Sequence, residues 1–478
     1  MDPLWLLVIG MTVVVGGILL LRLHAFPALI SGAVIVASLT TESMLMQYAQ
    51  SKKLSPAATS ALLDSSIGER ISTGFGGTCA NIGILIAMAS IIGACLLESG
   101  AAEKIVRSLL RLLGARHAPL AFLTSGFTLG VPVFFDTVFY LMIPLAKAMS
   151  IRSGKNYALY VLTIVAGATM AHSLVPPTPG PLFVAGELSV DIGMMILGGI
   201  VVGIFTAFSG YLYAVYANRR WDIPLRSTDD ATLNELASTA QKQDTDLPPL
   251  WLSIIPIIMP VVLIAGFTIQ SIVFSTANET GETSDGLPNL MRQLGDPDIA
   301  LTISAILASI LVVWQLRMTL KQFATIIQRA LASAGQIVLI TAAGGAFGAM
   351  LQQTGIGVRI QELASFYQIA VIPLAFGVTA LVRTAQGSAT VAMITAVGIL
   401  SGFADAEQLG FHPLYLALAI GCGSKPICWM NDSGFWIMCK MSGMTEGETL
   451  KTVTVMMLIM SLVGLALIMI LATLFPLI

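Results

Sequence analysis

The segments GATMAHSLVPPTPGP (residues 167–181) and GCGSKPICWMNDSGF (residues 421–435) decide the fold of this chain. Each interrupts an otherwise apolar helix with polar residues and with proline or glycine. When their first glycines are aligned, the pair PT at 177–178 falls opposite the pair ND at 431–432. Two halves that each carry a broken helix at the matching place are typical of a secondary transporter. The substrate site of such a protein is expected where the breaks meet.

The repeat extends beyond the two breaks. IGACLLESGAAEKI (residues 92–105) resembles FGAMLQQTGIGVRI (residues 347–360) at nearly the same offset. Between the halves lies a polar stretch with the composition of a solvated linker. We therefore predict a first repeat at 1–216, a cytoplasmic linker at 217–249 and a second repeat at 250–478.

The composition is that of an integral membrane protein. Of the 478 residues 56% are hydrophobic and only 10% are charged, and the mean hydropathy is +0.87, whereas soluble domains carry about 25% charged residues. Apolar runs of roughly 18 to 25 residues favour helices over a barrel. The net charge of -2, without a basic stripe, gives no reason to expect a nucleic-acid partner. The five cysteines lack metal-ligand spacing, so we predict neither a metal nor a cofactor.

The distribution of charge predicts the topology. Basic clusters are cytoplasmic by the positive-inside rule, and they include Arg22, Lys104 to Arg116, Lys147 to Lys155, Arg219 with Arg220, and Arg317 to Arg329. Acidic loops fall on the other face. This arrangement predicts about ten spans, near 4–22, 25–43, 78–98, 156–182, 193–216, 250–273, 299–316, 331–354, 413–436 and 451–474.

Two further apolar stretches, 118–146 and 369–400, leave and return on one side and are interrupted near the middle, so each is predicted to be a re-entrant hairpin. An odd number of crossings in each half makes the halves inverted repeats of one another. The fold class is therefore all-α and polytopic, and the predicted location is the bacterial inner membrane. We also expect an extracellular amphipathic helix at 51–72 with a cytoplasmic counterpart at 318–330, and a tight helix entry at GFGGT (residues 74–78).

Arg383 lies in the second hairpin. A guanidinium at membrane depth costs about 2.5 to 3.5 kcal/mol and is normally paired or functional, and its planar fork of donors matches a carboxylate. The following residues, Gln386, Gly387 and Ser388, look like a turn that opens a half-helix whose N-terminus favours an anion. The alternative is that Arg383 snorkels to the outer interface.

Candidate proton carriers lie in the first half. Asp136 is the carboxylate of the first hairpin, and a carboxyl group removed from water can load and release a proton near neutral pH; it could instead be a partner of Lys147 or a hydrated residue at the cytoplasmic mouth. His172 precedes the prolines of the first break and could carry a proton, or it could be a hydrogen-bonded packing residue.

The breaks themselves can bind a ligand. Asn431, Asp432 and Ser433 compete with the helix for backbone groups, and the prolines 176–181 remove donors. The freed amides and carbonyls can bind a substrate or a cation where they line a cavity. The alternative is a structural kink alone. Lys425 either offsets Asp432 or lies near the outer interface.

Several segments resemble the gluconate permease (GntP) family of the ion-transporter superfamily. The matching segments are GFGGT, IGACLLESGAAEKI, VPVFFDTVFYLMIPL, HSLVPPTPGP, GGAFGAMLQQTGIG, RTAQGSATVAMITA, NDSGFW and GETLKTVTV. The resemblance implies proton symport of small sugar acids such as gluconate, or of relatives including idonate, fructuronate, glycerate and D-serine.

The resemblance also implies site residues. The matching positions are Arg383, Gln386, Ser388, Thr390, Asn431, Asp432, His172, Pro176 and Pro177, and Asp136 replaces what is often Glu. This chain departs from the family at three positions. It has Thr178 and Trp429 where the family commonly has histidine, and it gains Lys425.

We predict a proton-coupled symporter for a small hydroxylated monocarboxylate, with no cofactor and no enzymatic activity. Arg383 and the half-helix at Gly387 would bind the carboxylate, and Asp136, Asp432 or His172 would carry the proton. The hydroxyl groups would be bound by Gln386, Ser388, Thr390, Asn431, Asp432 and Thr178. The predicted substrate-binding set also includes Ser433 and Pro177. The alternatives are a sodium-coupled organic-acid or D-serine-type symporter, a passive channel and an intramembrane enzyme. The predicted partners are a small organic acid anion and the lipid bilayer, and a homo-oligomer is compatible with the sequence.

Overall fold

A computed structural model describes residues 2–19, 21, 23–226, 246–275, 287–356, 371–400, 409–430 and 432–477. Within these residues the regular secondary structure is helical. The predicted linker at 217–249 is described at both ends, and its residues 227–245 lie outside the described ranges.

The first half contains eleven described α-helices. They are α1 (Pro3–Leu19), α2 (Ala25–Leu39), α3 (Glu42–Ser51), α4 (Pro56–Asp64), α5 (Ile67–Glu98), α6 (Ala101–Leu113), α7 (Ala118–Gly130), α8 (Phe135–Ser153), α9 (Tyr157–Leu174), α10 (Pro179–Glu187) and α11 (Ile192–Arg220).

The described part of the second half contains nine helices. They are α12 (Leu250–Ser275), α13 (Leu287–Leu294), α14 (Pro297–Leu316), α15 (Leu320–Gln352), α16 (Val371–Gln386), α17 (Ala389–Leu400), α18 (Pro413–Gly423), α19 (Ser433–Ser442) and α20 (Glu446–Leu474), the last with a π-helical turn at Leu450–Thr454.

Among the described residues, seven helices or near-continuous helical segments are long and apolar enough to cross a membrane. An eighth span arises if α2 and α3, which are bent by 102° at their junction, are taken together. The chain is therefore a polytopic, all-α membrane protein. The count of about ten crossings and the inversion of the repeats stay predictions.

The two long helices α5 and α15 begin and end alike. Ser66 and Thr319 each start a helix with a capping box. In this motif the hydroxyl of the capping residue accepts a hydrogen bond from the backbone N–H three residues later, and the side chain of that later residue accepts one from the N–H of the capping residue. Just beyond the ends of these helices, Gly100 and Gly355 have φ values of +77° and +78°, a left-handed conformation that glycine adopts without steric cost. The two sequence segments that echo each other upstream of the breaks thus terminate their helices in the same way.

Three expectations about helix bounds were wrong. Residues 51–72 do not form one helix, because the capping box at Ser66 starts α5 at Ile67 rather than near residue 78. GFGGT consequently lies inside α5 and not at a helix entry. Its first glycine lets α5 approach α15, since a Cβ on Gly74 would lie 2.9 Å from the Ala349 methyl group. Residues 318–330 are not a separate helix either, because Leu320 to Ala330 form the first turns of α15.

The broken helices form the centre of the molecule. Every residue of α9 and of α18 is buried. Helix α7 packs on α9 with backbone in near contact, because a Cβ on Gly167 would lie 2.2 Å from the Leu123 carbonyl oxygen. The two predicted hairpins, α7 with α8 and α16 with α17, are interrupted at residues 131–134 and 387–388. They pack beside α9 and α18, respectively.

Helices from the two halves pack against each other. Helix α5 packs on α15, α9 on α18, and α11 on α20. The Tyr157 hydroxyl donates to the Ser442 carbonyl oxygen at 2.6 Å, and the Tyr213 hydroxyl donates to the Lys451 carbonyl oxygen at 2.7 Å. At the start of the linker, Arg226 makes a two-pronged ion pair with Glu448 at 2.5 and 2.8 Å.

Candidate functional site

A cavity of about 500 Å³ lies where both hairpin tips and both broken helices meet. The first half lines it with Phe134, Phe135, Asp136, Thr137, Thr169, His172 and Pro179. The second hairpin and the second break line it with Arg383, Ser388, Ala389, Thr390, Val391, Ile394, Lys425, Cys428, Asp432, Gly434 and Met438. The remaining wall comes from Ser333, Gln336, Ile337, Ile340 and Thr341 of α15 and from Met457 of α20.

The mouth of this cavity lies beside the N-terminal half of α15. Ser333 and Gln336 line the cavity and are also exposed. The same end of α15 carries Lys321 and Arg329, which the distribution of charge assigns to the cytoplasm. The exposed edge of the cavity is therefore at the end of α15 that is predicted to be cytoplasmic.

Arg383 is a buried cation on the cavity wall. It lies in the last turn of α16, is 3% exposed, and donates from Nη2 to Asp432 Oδ2. Its Nε and Nη1 have no hydrogen-bond partner among the described residues. Arg383 thus does not snorkel to the interface, and part of its donor fork is available to a ligand.

The turn after Arg383 has the predicted shape. Gly387 has a φ of +80°, which glycine accommodates, and the Ser388 hydroxyl accepts a hydrogen bond from the Val391 N–H at 3.4 Å. Ser388 and Thr390 line the cavity at the N-terminus of α17. A helix N-terminus favours negative charge, so this half-helix and Arg383 together make one side of the cavity suitable for an anion.

Asp432 organises the second break. Its Oδ1 accepts a hydrogen bond from the Gly434 N–H at 2.8 Å, which caps α19. Its Oδ2 accepts hydrogen bonds from Arg383 and from the Cys428 thiol, the latter at 2.9 Å. Each carboxylate oxygen therefore has at least one donor, the arrangement expected of an ionised carboxylate, which can only accept.

Lys425 is the second cation of the cavity wall. It follows the end of α18, is 3% exposed, and lines the same cavity as Arg383. This burial excludes a position at the outer interface. In the part of the chain that the structure describes, no ion pair joins its ammonium group to a carboxylate.

Asp136 and His172 face the cavity from the first half. Asp136 lies in the first turn of α8 and is half-buried. His172 is 9% exposed, and its Nδ1 has no hydrogen-bond partner among the described residues. Its ring packs edge-on against Phe134, with centroids 6.0 Å apart. The cavity therefore holds two carboxyl groups, an imidazole and two cations.

Two of the predicted site residues lie away from the cavity. Pro177 lines a small apolar pocket against Leu301 of α14. Thr178 is buried, and its hydroxyl donates to the Val175 carbonyl oxygen at 2.7 Å. Trp429, the other position at which the family commonly has histidine, is partly exposed and donates from its indole to the Thr384 carbonyl oxygen at 2.9 Å.

Some predicted positions are described only in part. Asn431 lies outside the described residues, and of Gln386 and Ser433 only the backbone is described. Gly387 shapes the turn but is not one of the lining residues.

The sequence reasoning overlooked the contribution of α15. Ser333, Gln336, Ile337, Ile340 and Thr341 follow the i, i+3, i+4, i+7, i+8 spacing of one helix face. Three of the five are polar within an apolar span, a signal that was present in the sequence. Thr169 precedes His172 by one turn and could have been found in the same way.

Comparisons with known proteins agree with this architecture. A family model described as GntP family permease matches residues 3–474. A gluconate permease from Pseudomonas aeruginosa is 34% identical over 416 residues, covering 87% of this chain and 89% of that protein. The inner membrane permease YgbN from Escherichia coli is 30% identical, covering 83% and 87%. The crystal structure of the YdaH transporter from Alcanivorax borkumensis aligns with a TM-score of 0.63 at 17% identity, covering 89% and 91%.

Proposed function

The chain belongs to the GntP family of permeases, and from this premise we propose that it takes up a small hydroxylated carboxylate of the gluconate type together with protons. It is a multi-pass transporter of the inner membrane and not an enzyme. The substrate and the coupling ion are the parts that belong to the proposal. The substrate class follows the printed names of the relatives and the chemistry of the cavity.

The observation that carries the proposal is that Arg383 is buried on the cavity wall and has donors available to a ligand. A buried guanidinium, whose Nε and Nη1 have no partner in the described part of the chain, faces a cavity of about 500 Å³. This volume is within the usual range of about 300–1,000 Å³ for small-molecule sites. Arginine binds a carboxylate through parallel hydrogen bonds from Nη2 together with either Nε or Nη1. A two-pronged contact with the substrate would therefore use Nη2 after Asp432 has released it. The half-helix that begins after Ser388 adds its N-terminal dipole on the same wall.

Polar side chains around the cavity can bind the hydroxyl groups of such a substrate. Those that line it are Ser388, Thr390, Thr169, Thr341 and Gln336. Asn431, Ser433 and Gln386 stay proposed contacts on the strength of their sequence positions. Pro177 and Thr178 receive no support from the geometry, because neither lines the cavity.

Asp432 is the best-placed carrier of the coupling proton. While ionised, it holds Arg383 in an ion pair. Protonation would remove the negative charge that competes with a substrate carboxylate for the guanidinium, so the proton and the anion would bind together. Asp136 and His172 also face the cavity and stay candidates for the same role or for a second proton.

The driving force depends on the number of protons. A monocarboxylate entering with one proton is neutral overall and draws on the pH gradient alone. A second proton would add the membrane voltage, which is worth about 2.3 kcal/mol per charge per 100 mV.

Sodium coupling is the alternative. A hard cation takes oxygen ligands, but both Asp432 oxygens already accept hydrogen bonds from Arg383, Cys428 or Gly434. Sodium would have to displace those donors, whereas a proton only neutralises the carboxylate. Uptake that follows a sodium gradient and is insensitive to a protonophore would favour sodium.

The deciding experiment is gluconate uptake into proteoliposomes by Arg383→Ala and Arg383→Lys. We expect uptake by both variants to fall at least about 100-fold, which corresponds to about 2.8 kcal/mol of lost binding free energy. Alanine removes the charge, and lysine cannot reproduce the two-pronged geometry of arginine. Arg329→Lys is the matched control, because Arg329 is exposed and does not line the cavity. Full activity of Arg383→Lys would refute the carboxylate role.

A further inference from the structure

The cavity contains one more cation than a single carboxylate requires. Arg383 already has Asp432 as its counterion, and two of its nitrogens have no hydrogen-bond partner within the described ranges. Lys425 faces the same cavity without an ion pair among the described residues. Asp136 faces it as well but is not joined to Lys425 by an ion pair.

We propose that the transported molecule carries two anionic groups, one bound by Arg383 and the other by Lys425. The substrate would then be a hydroxylated dicarboxylate of the aldarate type rather than an aldonate with a single carboxylate. This inference rests on the proposed function, because it names the substrate class of the same cavity.

The burial of Lys425 requires a reason. A lysine at membrane depth costs about 2.5 to 3.5 kcal/mol on insertion scales, and Lys425 is 3% exposed. Asp432 lies on the same break, but its oxygens are already bound by the donors of Arg383, Cys428 and Gly434. Asp432, the carboxylate nearest to Lys425 in the sequence, is thus already bound by other donors.

Lys425 lies at a helix end, because it follows Ser424, the C-cap of α18. The C-terminal end of a helix carries partial negative charge and favours a nearby cation. Since no ion pair among the described residues occupies the ammonium group, its hydrogens are available to an anion of the ligand.

The charges balance for a dianion. The titratable groups that face the cavity are Asp136, Asp432, His172, Lys425 and Cys428, with Arg383 as a fixed cation. If both carboxyl groups are protonated, the two remaining cations match the two negative charges of the ligand. A dianion entering with two protons would therefore leave the occupied cavity without net charge, as would a monoanion with one proton, so the second anionic group is inferred from Lys425 and not from the charge balance.

The test compares two acids with the same six-carbon skeleton, gluconate with one carboxylate and glucarate with two. Binding to the purified full-length protein is measured by thermal shift, and uptake is measured in proteoliposomes. We expect the wild type to bind glucarate at least about tenfold more tightly than gluconate. Lys425→Met should lower the glucarate-to-gluconate ratio at least about tenfold, and Lys425→Arg should retain the preference for glucarate because it retains the charge.

Lys440→Met is the matched control for Lys425→Met. Lys440 is exposed, pairs with Glu446 at 3.6 Å and lies over the Trp436 ring. This variant should leave the ratio of the two acids unchanged. Its folding also controls for the general effect of replacing a lysine with methionine.

The outcomes separate this inference from the proposed function. Transport of gluconate with no preference for glucarate, or an unchanged ratio in a folded Lys425→Met protein, would overturn the dianion and leave the permease proposal standing. If the wild type binds and transports neither acid, the proposed function itself is wrong. Retained preference in Lys425→Arg together with its loss in Lys425→Met would support the assignment of the second anion to Lys425.

Discussion

The two breaks occupy matching places in the sequence but have different chemistry in the structure. The break at residues 175–178 packs prolines against an apolar pocket, and its threonine bonds to its own backbone. The break between α18 and α19 supplies a lysine, a thiol and a carboxylate to the cavity wall. The comparison teaches that two breaks at matching sequence positions need not share their chemistry. In this protein the second half carries both cations of the cavity and one of its two carboxylates.

The difference follows from how each helix is interrupted. Proline lacks an N–H group and ends a helix without creating a donor that needs a partner, so the first break can be buried in apolar surroundings. The second break ends at Asp432, which caps α19 by accepting the Gly434 N–H. A carboxylate used as a cap brings charge with it, and Arg383 and the cavity accommodate that charge.

The largest expected effect in this comparison comes from Asp432→Asn. Asparagine caps a helix about as well as aspartate, so the variant removes the charge and keeps the cap. We expect proton-driven accumulation of gluconate in proteoliposomes to fall at least about 100-fold. Binding measured by thermal shift should become less dependent on pH, because the competing carboxylate is gone.

Asp296→Asn is the control for this variant. Asp296 caps α14 by accepting the N–H groups of Asp298 and Ile299 and does not line the cavity. It should accumulate gluconate like the wild type. Wild-type accumulation by Asp432→Asn would contradict the assignment of the coupling proton to this side chain.

A moderate effect is expected for Gly167→Ala, which tests the first half as a scaffold. The added Cβ would lie 2.2 Å from the Leu123 carbonyl oxygen and 2.8 Å from the Phe127 nitrogen, both in the backbone of α7. Overpacking of this kind costs about 1–3 kcal/mol, measurable as a lower Tm in detergent. The glucarate-to-gluconate ratio should not change.

Gly77→Ala provides the matched substitution. Gly77 is an exposed glycine of α5 with no atom within 4 Å of an added Cβ, so its Tm should stay close to that of the wild type. Equal Tm values for the two variants would show that α7 and α9 do not approach as closely as the structure has them.

The smallest effect is expected for Thr178→Ala, the residue aligned with Asp432. Its hydroxyl donates to Val175 and does not line the cavity. Loss of one such hydrogen bond costs about 1 kcal/mol, and we expect uptake to change less than about threefold. An uptake loss as large as that of Asp432→Asn would mean that both breaks bind substrate, and the contrast between them would fail.

Much of the site was accessible from the sequence because its signals are local. Arg383, Asp136 and His172 are polar residues in apolar helices, and the cost of burying them predicts that they face a polar interior. The turn at Gly387 and the breaks are likewise encoded by a few adjacent residues. The structure places these three side chains, the turn and the second break around one cavity, whereas the prolines 176–177 of the first break line a separate apolar pocket.

What the sequence could not provide is the rotation of each element about its own axis. A break in the sequence indicates that a helix ends, but not which way its residues point. Alignment alone therefore could not predict that Asp432 lines the cavity and Thr178 does not. The early start of α5 is a different case. The capping-box pattern at Ser66 and Glu69 is local and marks this start in the sequence, whereas hydropathy alone places it near residue 78.

The packing of the two halves determines what happens to a truncated chain. Helices before and after the predicted linker pack together, α5 against α15, α9 against α18 and α11 against α20. Tyr157 and Tyr213 donate hydrogen bonds to residues on the other side of it. A polypeptide ended by a premature stop codon in the linker would lack the partner of each of these three helices. Such a fragment would be a target for membrane quality-control proteases and not a half-sized carrier with residual activity.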